Sequence, residues 1–253
     1  MDKVIYTAMA GASQAMNQQA VITHNLANVA TSGFRAQLNA MRAVPVEGTG
    51  HLPTRTVVVA TTPGADFTPG IFTTTGRELD VALRGTGWLA VQDSAGGEAY
   101  TRRGDLQVDG NGLLVCGGRP VLGDDAGPIL IPLGAQIFIG DDGTLSAIGE
   151  GEKPDALVEI ARLKLVDPGE ERLERGADGL FRLPPGDDGE ARQLPANEGV
   201  KLVSGTLEGS NVSAVESMVA LIDNARRYDM QLKVIESADD NAQRANTLLS
   251  LQG

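Results

Sequence analysis

The side chains best suited to nucleophilic or acid–base chemistry are few in this sequence and far apart along it. The two imidazoles belong to His24 and His51, and the one thiol belongs to Cys116. A nucleophilic enzyme needs its nucleophile and base within hydrogen-bonding reach, commonly with a recognisable turn around the nucleophile. No G-x-S-x-G turn accompanies either histidine. Cys116 falls in a predicted strand, where a lone cysteine is typically a small buried hydrophobic residue.

Two glycine-rich stretches resemble ligand-binding loops only in part. Gly85-Thr86-Gly87 is too short for a dinucleotide fingerprint and precedes a predicted strand instead of a helix. Asp109-Gly110-Asn111-Gly112 begins like a calcium loop, but Leu113 stands where another oxygen ligand is needed, which favours a hairpin turn. We therefore expect no enzyme activity, no cofactor and no metal site. Isolated basic residues nearby are expected to pair with Asp or Glu: Arg102, Arg103 and Arg119.

Composition excludes several classes of partner for the 253-residue chain. A net charge of −12 and a pI near 4.6 argue against nucleic acid and against anionic membrane surfaces. One cysteine excludes an internal disulfide framework. No apolar run approaches the length of a transmembrane helix, so direct membrane insertion is not expected. Polar residues such as Gln14 and Asn17 occupy the place of a signal peptide's apolar region, which predicts no cleaved signal peptide.

The longest periodic stretch, residues 212–252, contains neither Gly nor Pro and predicts one continuous helix. Ser213 and Glu216 have the spacing of a capping box at its start. Such a helix would be about 60 Å long, which is longer than a small domain is wide, so it must contact something outside its own fold. Apolar residues three and four apart form its predicted contact stripe: Val215, Met218, Ile222, Tyr228, Leu232, Ile235 and Leu249.

A second helix is predicted for residues 3–30, with a heptad-like seam. No Asp, Glu, Lys or Arg occurs between Lys3 and Arg35. A helix without charges suits surroundings of packed protein, where a charge would be costly to bury. A marginally stable helix that orders on assembly explains the pattern equally well. The residues expected to mediate assembly in this part are Ile5, Met9, Ala12, Met16, Asn25, Leu26, Asn28, Gly33 and Phe34.

Between the helices the chain is rich in Gly and Pro and has short candidate strands separated by turns, which predicts antiparallel sheets or barrels. Residues 141–200 hold 15 acidic and 7 basic side chains. We interpret this stretch as an outer lobe, with one continuous sandwich bearing an acidic face as the alternative. The candidate strands are Thr56–Ala60, Leu79–Leu83, Trp88–Gln92, Ala99–Arg103, Leu106–Val108, Leu113–Cys116, Ile129–Ile131, Gln136–Ile139, Leu157–Val166 and Lys201–Ser204.

These features together predict an α+β fold in which long terminal helices pair as a coiled coil and flank a central all-β body of two lobes. The predicted division has three parts. They are a helical coiled-coil core domain at 1–45 plus 207–253, an inner β-rich domain at 46–140 and 200–206, and an outer acidic β-rich lobe at 141–199.

Three motifs carry a resemblance to a known family, the flagellar basal-body rod proteins. The first 48 residues, including Asn25-Leu26-Ala27-Asn28-Val29-Ala30-Thr31-Ser32-Gly33-Phe34-Arg35, resemble the opening of the proximal rod type. Thr75-Gly76-Arg77-Glu78-Leu79-Asp80, continuing to Trp88 and then Tyr100-Thr101-Arg102-Arg103-Gly104-Asp105, resembles the core β motif of rod and hook subunits. Leu207-Glu208-Gly209-Ser210-Asn211-Val212 resembles the C-terminal signature of rod proteins.

The resemblance implies a structural role. Such subunits polymerise with other proximal rod subunits, the distal rod protein and copies of themselves. They form a tube that carries motor torque across the periplasm, with the terminal helices inside and the β body outside. It also implies transit through the flagellar type III export apparatus and a final place in the basal-body rod. The alternatives are a distal rod or hook-type axial subunit and, from a different class, an extracellular β-rich binding module.

Overall fold

The structure, a computed structural model, describes residues 2–45, 56–149, 157–186 and 189–250. The chain divides into two compact units. The helical unit comprises residues 1–29, 36–66 and 212–253, and the β unit comprises residues 30–35 and 67–211. His51 lies outside the described residues. Neither helix in the described part of the chain combines the length and the hydropathy needed to cross a membrane.

The described residues form two helices and seventeen strands. Helix α1 spans Asp2–Ala27 and helix α2 spans Ala214–Ser250. The strands are β1 Gln37–Pro45, β2 Thr56–Ala65, β3 Phe72–Thr74, β4 Val81–Leu83, β5 Trp88–Gln92, β6 Glu98–Thr101, β7 Leu106–Val108, β8 Leu114–Cys116, β9 Arg119–Pro120, β10 Gln136–Ile139, β11 Thr144–Ile148, β12 Val158–Arg162, β13 Leu165–Val166, β14 Glu174–Arg175, β15 Phe181–Arg182, β16 Leu202–Ser204 and β17 Thr206–Glu208.

The helical unit combines both helices with one long hairpin. Helix α2 begins as the capping signal predicts, because Ser213 Oγ accepts a hydrogen bond from the Glu216 N–H at 3.3 Å. Strands β1 and β2 pair antiparallel from Gln37 opposite Ala65 to Pro45 opposite Thr56, with a bulge between Leu38 and Ala40. Strand β2 also lies against α1.

The β unit is built from short antiparallel strands around one apolar core. Its largest sheet has the order β13-β5-β6-β15-β14, and two three-stranded sheets have the orders β10-β11-β12 and β7-β8-β9. Strand β16 pairs with β4, and β17 pairs with β3. All strand pairs in the described residues are antiparallel, as expected. The core includes Val81, Leu89, Leu106, Leu114, Val121, Leu145, Leu163 and Leu202.

The predicted elements agree with the structure where local patterning is strong. The α+β class is confirmed, as are both helices, and strands β5, β7 and β10 have the predicted bounds. Ile129–Ile131 is not a strand, although Leu130 forms an isolated bridge with Leu113. The predicted strand Leu157–Val166 is divided between β12 and β13, and strands β1, β3, β9, β11, β14, β15 and β17 were not predicted. Strand β3 begins with Phe72, but its three side chains are all exposed, so it lacks the apolar alternation that marks a half-buried strand.

Candidate assembly site

Helices α1 and α2 pack against each other in antiparallel orientation. Asn224 Nδ2 donates a hydrogen bond to the Ala15 carbonyl oxygen at 2.8 Å. Towards the N-terminus of α1, Gly11 lies against Gln231, whose Cδ is 3.0 Å from the place a Cβ on Gly11 would occupy. Residue numbers thus fall along α1 as they rise along α2. The last ten or so residues of α2 therefore extend beyond the start of α1.

Small residues form the buried side of α1. Ala8, Ala12 and Ala15 are buried, at steps of four and three. Because alanine and glycine have little or no side chain, the backbone of α2 can approach closely enough for a side-chain amide to reach a helix carbonyl. On α2 the less exposed residues repeat at steps of four and three over almost the full helix: Ser217, Leu221, Asn224, Tyr228, Gln231, Ile235, Ala238, Ala242 and Ala245.

This geometry corrects part of the predicted seam. Met9, Met16, Val215, Met218 and Ile222 are between 54% and 72% exposed and lie outside the contact between the helices. The predicted stripe of α2 is displaced by one residue over its first half, since residues 217, 221 and 224 are less exposed than residues 218, 222 and 225. The stripe that contacts α1 is the more polar of the two, and the small residues of α1 allow it to pack closely.

The remaining predicted residues occupy a range of positions. Ala12 is buried, Ile5, Leu26, Tyr228 and Ile235 are half-buried, and Leu232 is exposed. Leu249 lies in the last turn of α2, and its side chain is outside the described part of the structure. The assignment of all these residues to assembly stays a prediction.

An apolar stripe remains exposed on the first half of α2. Val215, Met218, Val219 and Ile222 follow one another at steps of three, one and three, which places them on one face. Helix α1 separately exposes Tyr6, Met9 and Met16. Contiguous exposed apolar surface on an otherwise acidic protein is typical of a protein–protein contact. We call residues 215, 218, 219 and 222 the outer stripe.

A shallow groove of about 340 Å³ lies farther along the helix pair. Val4 of α1 lines one side, and Val234 and Ala238 of α2 line the other. Polar side chains of Lys233, Ser237 and Asn241 complete its rim. This lining suits an apolar side chain with a polar neighbour at the rim.

Asn25 joins the end of α1 to the hairpin. Its Nδ2 donates to the Gln37 carbonyl oxygen at 2.9 Å, and its Oδ1 accepts from the Gln37 N–H at 2.9 Å. The side-chain amide therefore pairs with one residue of β1 in the way that a backbone amide would. Asn28, the second asparagine of the same motif, donates from Nδ2 to the His24 carbonyl oxygen at 2.9 Å.

Replacing Asn25 by Ala is expected to loosen the start of β1, because both polar backbone groups of Gln37 lose their partner. Net loss of a hydrogen bond costs about 1 kcal/mol, so hydrogen exchange of the Gln37 amide should accelerate roughly fivefold. Amide exchange followed by NMR measures this directly. Asn17→Ala, at an exposed asparagine of the same helix, is the control. Unchanged exchange at Gln37 would show that this pair contributes nothing.

In the β unit, the segment 30–35 is held by its backbone. The Gly33 N–H donates to the Glu208 carbonyl oxygen at 2.7 Å, and the Asn211 N–H donates to the Phe34 carbonyl oxygen at 3.3 Å. Gly33 has φ of +64°, and a Cβ on it would lie 2.3 Å from the carbonyl oxygen of Arg102. Only glycine satisfies both the backbone conformation and this close approach.

Three charged side chains from distant segments meet inside the β unit. Arg35 Nη1 lies 2.6 Å from Glu208 Oε1, and Arg102 Nε lies 3.2 Å from Glu208 Oε2. The Gly70 N–H donates to Glu208 Oε1 at 3.0 Å. All three charged side chains are at most 3% exposed. We call Arg35, Arg102 and Glu208 the buried ion cluster.

The buried ion cluster contains two cations and one anion, so backbone carbonyls share the compensation. Arg102 donates from Nη2 to the Gly85 carbonyl oxygen at 2.8 Å and from Nη1 to the Gly87 carbonyl oxygen. Burial lowers the pKa of Arg102, and the Glu208 carboxylate opposes that shift. The Gly85-Thr86-Gly87 stretch therefore serves as an acceptor for a buried arginine.

Motif residues near Arg35 and Arg102 in the sequence form further hydrogen bonds. Ser32 Oγ donates to Asp105 Oδ1 at 3.0 Å, and Arg103 Nη2 donates to Asp105 Oδ2 at 2.7 Å. Burial alone would raise the pKa of Asp105, but these hydrogen bonds and the Arg103 charge bring that pKa below its ordinary value. Phe34 is buried with the Arg175 guanidinium 4.7 Å from its ring centroid. Phe34 is therefore a buried anchor of this segment.

The residues considered for catalysis or ligand binding have structural surroundings. Cys116 is buried, its thiol donates to the Arg103 carbonyl oxygen at 3.2 Å, and burial raises its pKa to about 12. Asp109 Oδ1 accepts from the backbone N–H groups of Asn111 and Leu113, as in a hairpin turn. The expected acidic partners of the three arginines are confirmed: Glu208 for Arg102, Asp105 for Arg103 and Asp178 for Arg119.

Sequence comparisons cover both units. Residues 5–35 match the family described as flagella basal body rod protein, and residues 82–147 match the flagellar hook protein FlgE/F/G D1 domain. Residues 203–248 match the flagellar basal body rod FlgEFG protein C-terminal family. The flagellar basal-body rod protein FlgF of Escherichia coli is 55% identical to this chain over 99% of the chain and all of its own length. The chain belongs to the flagellar basal-body rod protein family.

Other relatives place this rod protein within the family. FlgF of Salmonella typhimurium is 53% identical over 99% of the chain and all of its own length. FlgG of Bacillus subtilis is 30% identical over 95% of the chain and 96% of its own length. Similarity is thus greater to the FlgF type, which agrees with the resemblance seen in the first 48 residues. Membership places the rod protein among structural, non-enzymatic components of the flagellar basal body.

The structure explains what the signature residues of this rod protein do. In the first signature, Asn25 bonds the β1 residue Gln37 through its side chain. Gly33 and Arg35 of the same signature contact Glu208 in the β unit. The C-terminal signature supplies Glu208, the partner of Arg35. Sequence reasoning did not predict the buried ion cluster. The available signal concerned two of its members, because Arg35 and Glu208 are the only residues among Asp, Glu, Lys and Arg in their signatures.

Proposed function

We propose that this chain is a structural subunit of the proximal rod, polymerising through its helical unit with other rod proteins and with copies of itself. In this proposal α1 and α2 pair as a coiled coil and form the wall of a tube, while the β unit lies outside. Motor torque passes across the periplasm through these packed helices. The subunit reaches its place through the flagellar type III export apparatus. Neighbours with the same helices are the other proximal rod proteins and the distal rod protein.

The observation that carries the proposal is the outer stripe. An isolated helix pair would place its most apolar face inside, yet Val215, Met218, Val219 and Ile222 face outward at 53% to 72% exposure. In the assembled rod a neighbouring protein surface would cover them. The uncharged outer face of α1 supports the same conclusion, because covering it requires no charge to be desolvated. Membership in the rod family supports an axial protein as that neighbour.

We also propose that the inner domain predicted at 46–140 and 200–206 and the outer acidic lobe predicted at 141–199 are two parts of one β body. Strands β13, β14 and β15 of the acidic part share a sheet with β5 and β6, and residues 46–66 of the inner part belong to the helical unit. The acidic surplus of residues 141–200 supports an outer, water-facing position, since charged side chains are poorly suited to a packed tube wall. The predicted boundary at 46 falls within residues 46–55, which lie outside the described part of the chain.

Deletion of residues 2–29, or separately of residues 230–253, is expected to abolish motility while leaving a folded β unit. Residues 30–35 are kept because they belong to the β unit. Swimming in soft agar and incorporation into isolated basal bodies measure assembly, and urea unfolding of the purified variant measures the β unit. Normal swimming by either variant would contradict the proposal. Immunolabelling of purified basal bodies separates the proximal rod from a distal rod or hook position.

A further inference from the structure

We propose that Asn224 fixes the axial position of α2 along α1 and prevents the helix pair from sliding by a helical turn. This inference rests on the proposed use of the helix pair as a stiff element of the rod. Sliding is the soft motion of two packed helices, because apolar contacts have no preferred partner along the seam. Torque transmission needs that motion to be suppressed.

Asn224 meets the requirements of an axial lock. It is 2% exposed, and Nδ2 donates to the Ala15 carbonyl oxygen at 2.8 Å. Its Oδ1 is buried and has no hydrogen-bond partner among the described residues. A buried amide that lost the Ala15 bond would leave both polar ends unpaired, which is costly in a packed seam. A single buried asparagine sets helix register in coiled coils by the same physics.

A second contact acts together with this hydrogen bond. Gln231, one heptad after Asn224, lies against Gly11, where a Cβ would already be 3.0 Å from Gln231 Cδ. A slide of one turn in either direction brings Gln231 level with Ala8 or Ala15, and each carries a methyl group that Gly11 lacks. The polar contact and the steric contact therefore define the same axial position.

Ser217 provides a matched comparison in the same seam. It lies one heptad before Asn224, but its Oγ donates to the Ser213 carbonyl oxygen at 2.8 Å, within the first turn of its own helix. Because the Ser217 hydroxyl is hydrogen-bonded within α2, its bond does not depend on the axial position of α1. Replacing Ser217 by an apolar residue should therefore leave the axial position unchanged.

The test measures the distance between spin labels on Asn17→Cys and Glu236→Cys in the full chain. Both positions are exposed, and the labels are separated mainly along the helix axes. Cys116 is buried and remains unlabelled.

The reference chain should give one narrow distance between the two labels. Asn224→Leu should add a second population displaced by about 5 Å, one helical turn. Its thermal midpoint should be unchanged or higher, because an apolar residue at a seam position stabilises the pair while relaxing register. Ser217→Leu should keep the single distance.

The outcomes separate this inference from the proposed function. A single unshifted distance in Asn224→Leu, with or without a lower thermal midpoint, would overturn the axial lock and leave the rod proposal intact. Loss of any defined distance in both Asn224→Leu and the smaller Asn224→Ala would assign Asn224 to helix pairing in general and would also overturn the lock. Absence of a defined distance in the reference chain would overturn the axial lock and leave the rod proposal intact, because a helix pair that orders only on assembly still serves the rod.

Discussion

Replacing Glu208 by Gln is expected to lower the free energy of unfolding of the β unit by about 3–5 kcal/mol, since removing one partner of a buried charge pair leaves the other charge uncompensated. Here two guanidinium groups, Arg35 and Arg102, would lose their shared carboxylate. A domain of this size has a total stability of about 5–15 kcal/mol, so the loss is a large part of it. The shape of the side chain is kept, which isolates the effect of charge.

Urea unfolding of purified Glu208→Gln measures this change through the midpoint at constant slope. Glu198→Gln is the matched control, because the Glu198 side chain is 86% exposed and faces Arg162 at 3.6 Å. An exposed ion pair contributes about 0–1 kcal/mol. A loss below about 1 kcal/mol for Glu208→Gln would show that the Glu208 charge is not needed to compensate the two arginines.

Replacing Ile222 by Asp is expected to abolish rod assembly without destabilising the isolated chain. Ile222 is 55% exposed in the outer stripe, so its replacement should change the free energy of unfolding by no more than about 0.5 kcal/mol. In an assembled wall the new carboxylate would be buried without a partner at a cost of several kcal/mol. Each 1.4 kcal/mol is about a factor of ten in association, so incorporation into basal bodies should fall at least roughly a hundredfold.

Quantifying the subunit in purified basal bodies, together with soft-agar swimming, measures the effect of Ile222→Asp. Asn246→Asp adds the same charge to an exposed position of α2 with little change of side-chain shape, and it should swim normally. Normal incorporation of Ile222→Asp would mean that the outer stripe faces water in the rod. A strongly destabilised monomer would instead mean that Ile222 is packed within the helical unit.

The contrast between the two stripes of α2 shows how far periodicity carries a structural argument. Apolar residues at steps of three and four correctly predict that the segment is helical, because that pattern depends only on residues within the helix. The same pattern occurs twice on α2, displaced by one residue. The stripe with Val215, Met218 and Ile222 is the more apolar, yet α1 contacts the stripe that contains Asn224.

The buried ion cluster shows a different limit. Arg35, Arg102 and Glu208 are separated by 67 and 106 positions in the chain. Each stands in a motif that marks the family, but nothing local indicates that they meet. Their meeting depends on how strands β6 and β17 and the segment 30–35 come together in the β unit. Buried charged residues need an oppositely charged or hydrogen-bonding partner. The motifs therefore indicate that partners exist, but they do not indicate which residues these are.

The sequence by itself determined the two terminal helices, the antiparallel β-rich centre and the family. These depend on local periodicity, turn chemistry and motif identity. Only the tertiary structure decided which face of α2 meets α1, that Asn224 reaches the Ala15 carbonyl, and that Glu208 joins two arginines. The physical reason is that close approach depends on the small side chains of the opposite element, Ala8, Gly11 and Ala15, which carry almost no hydrophobic signal of their own.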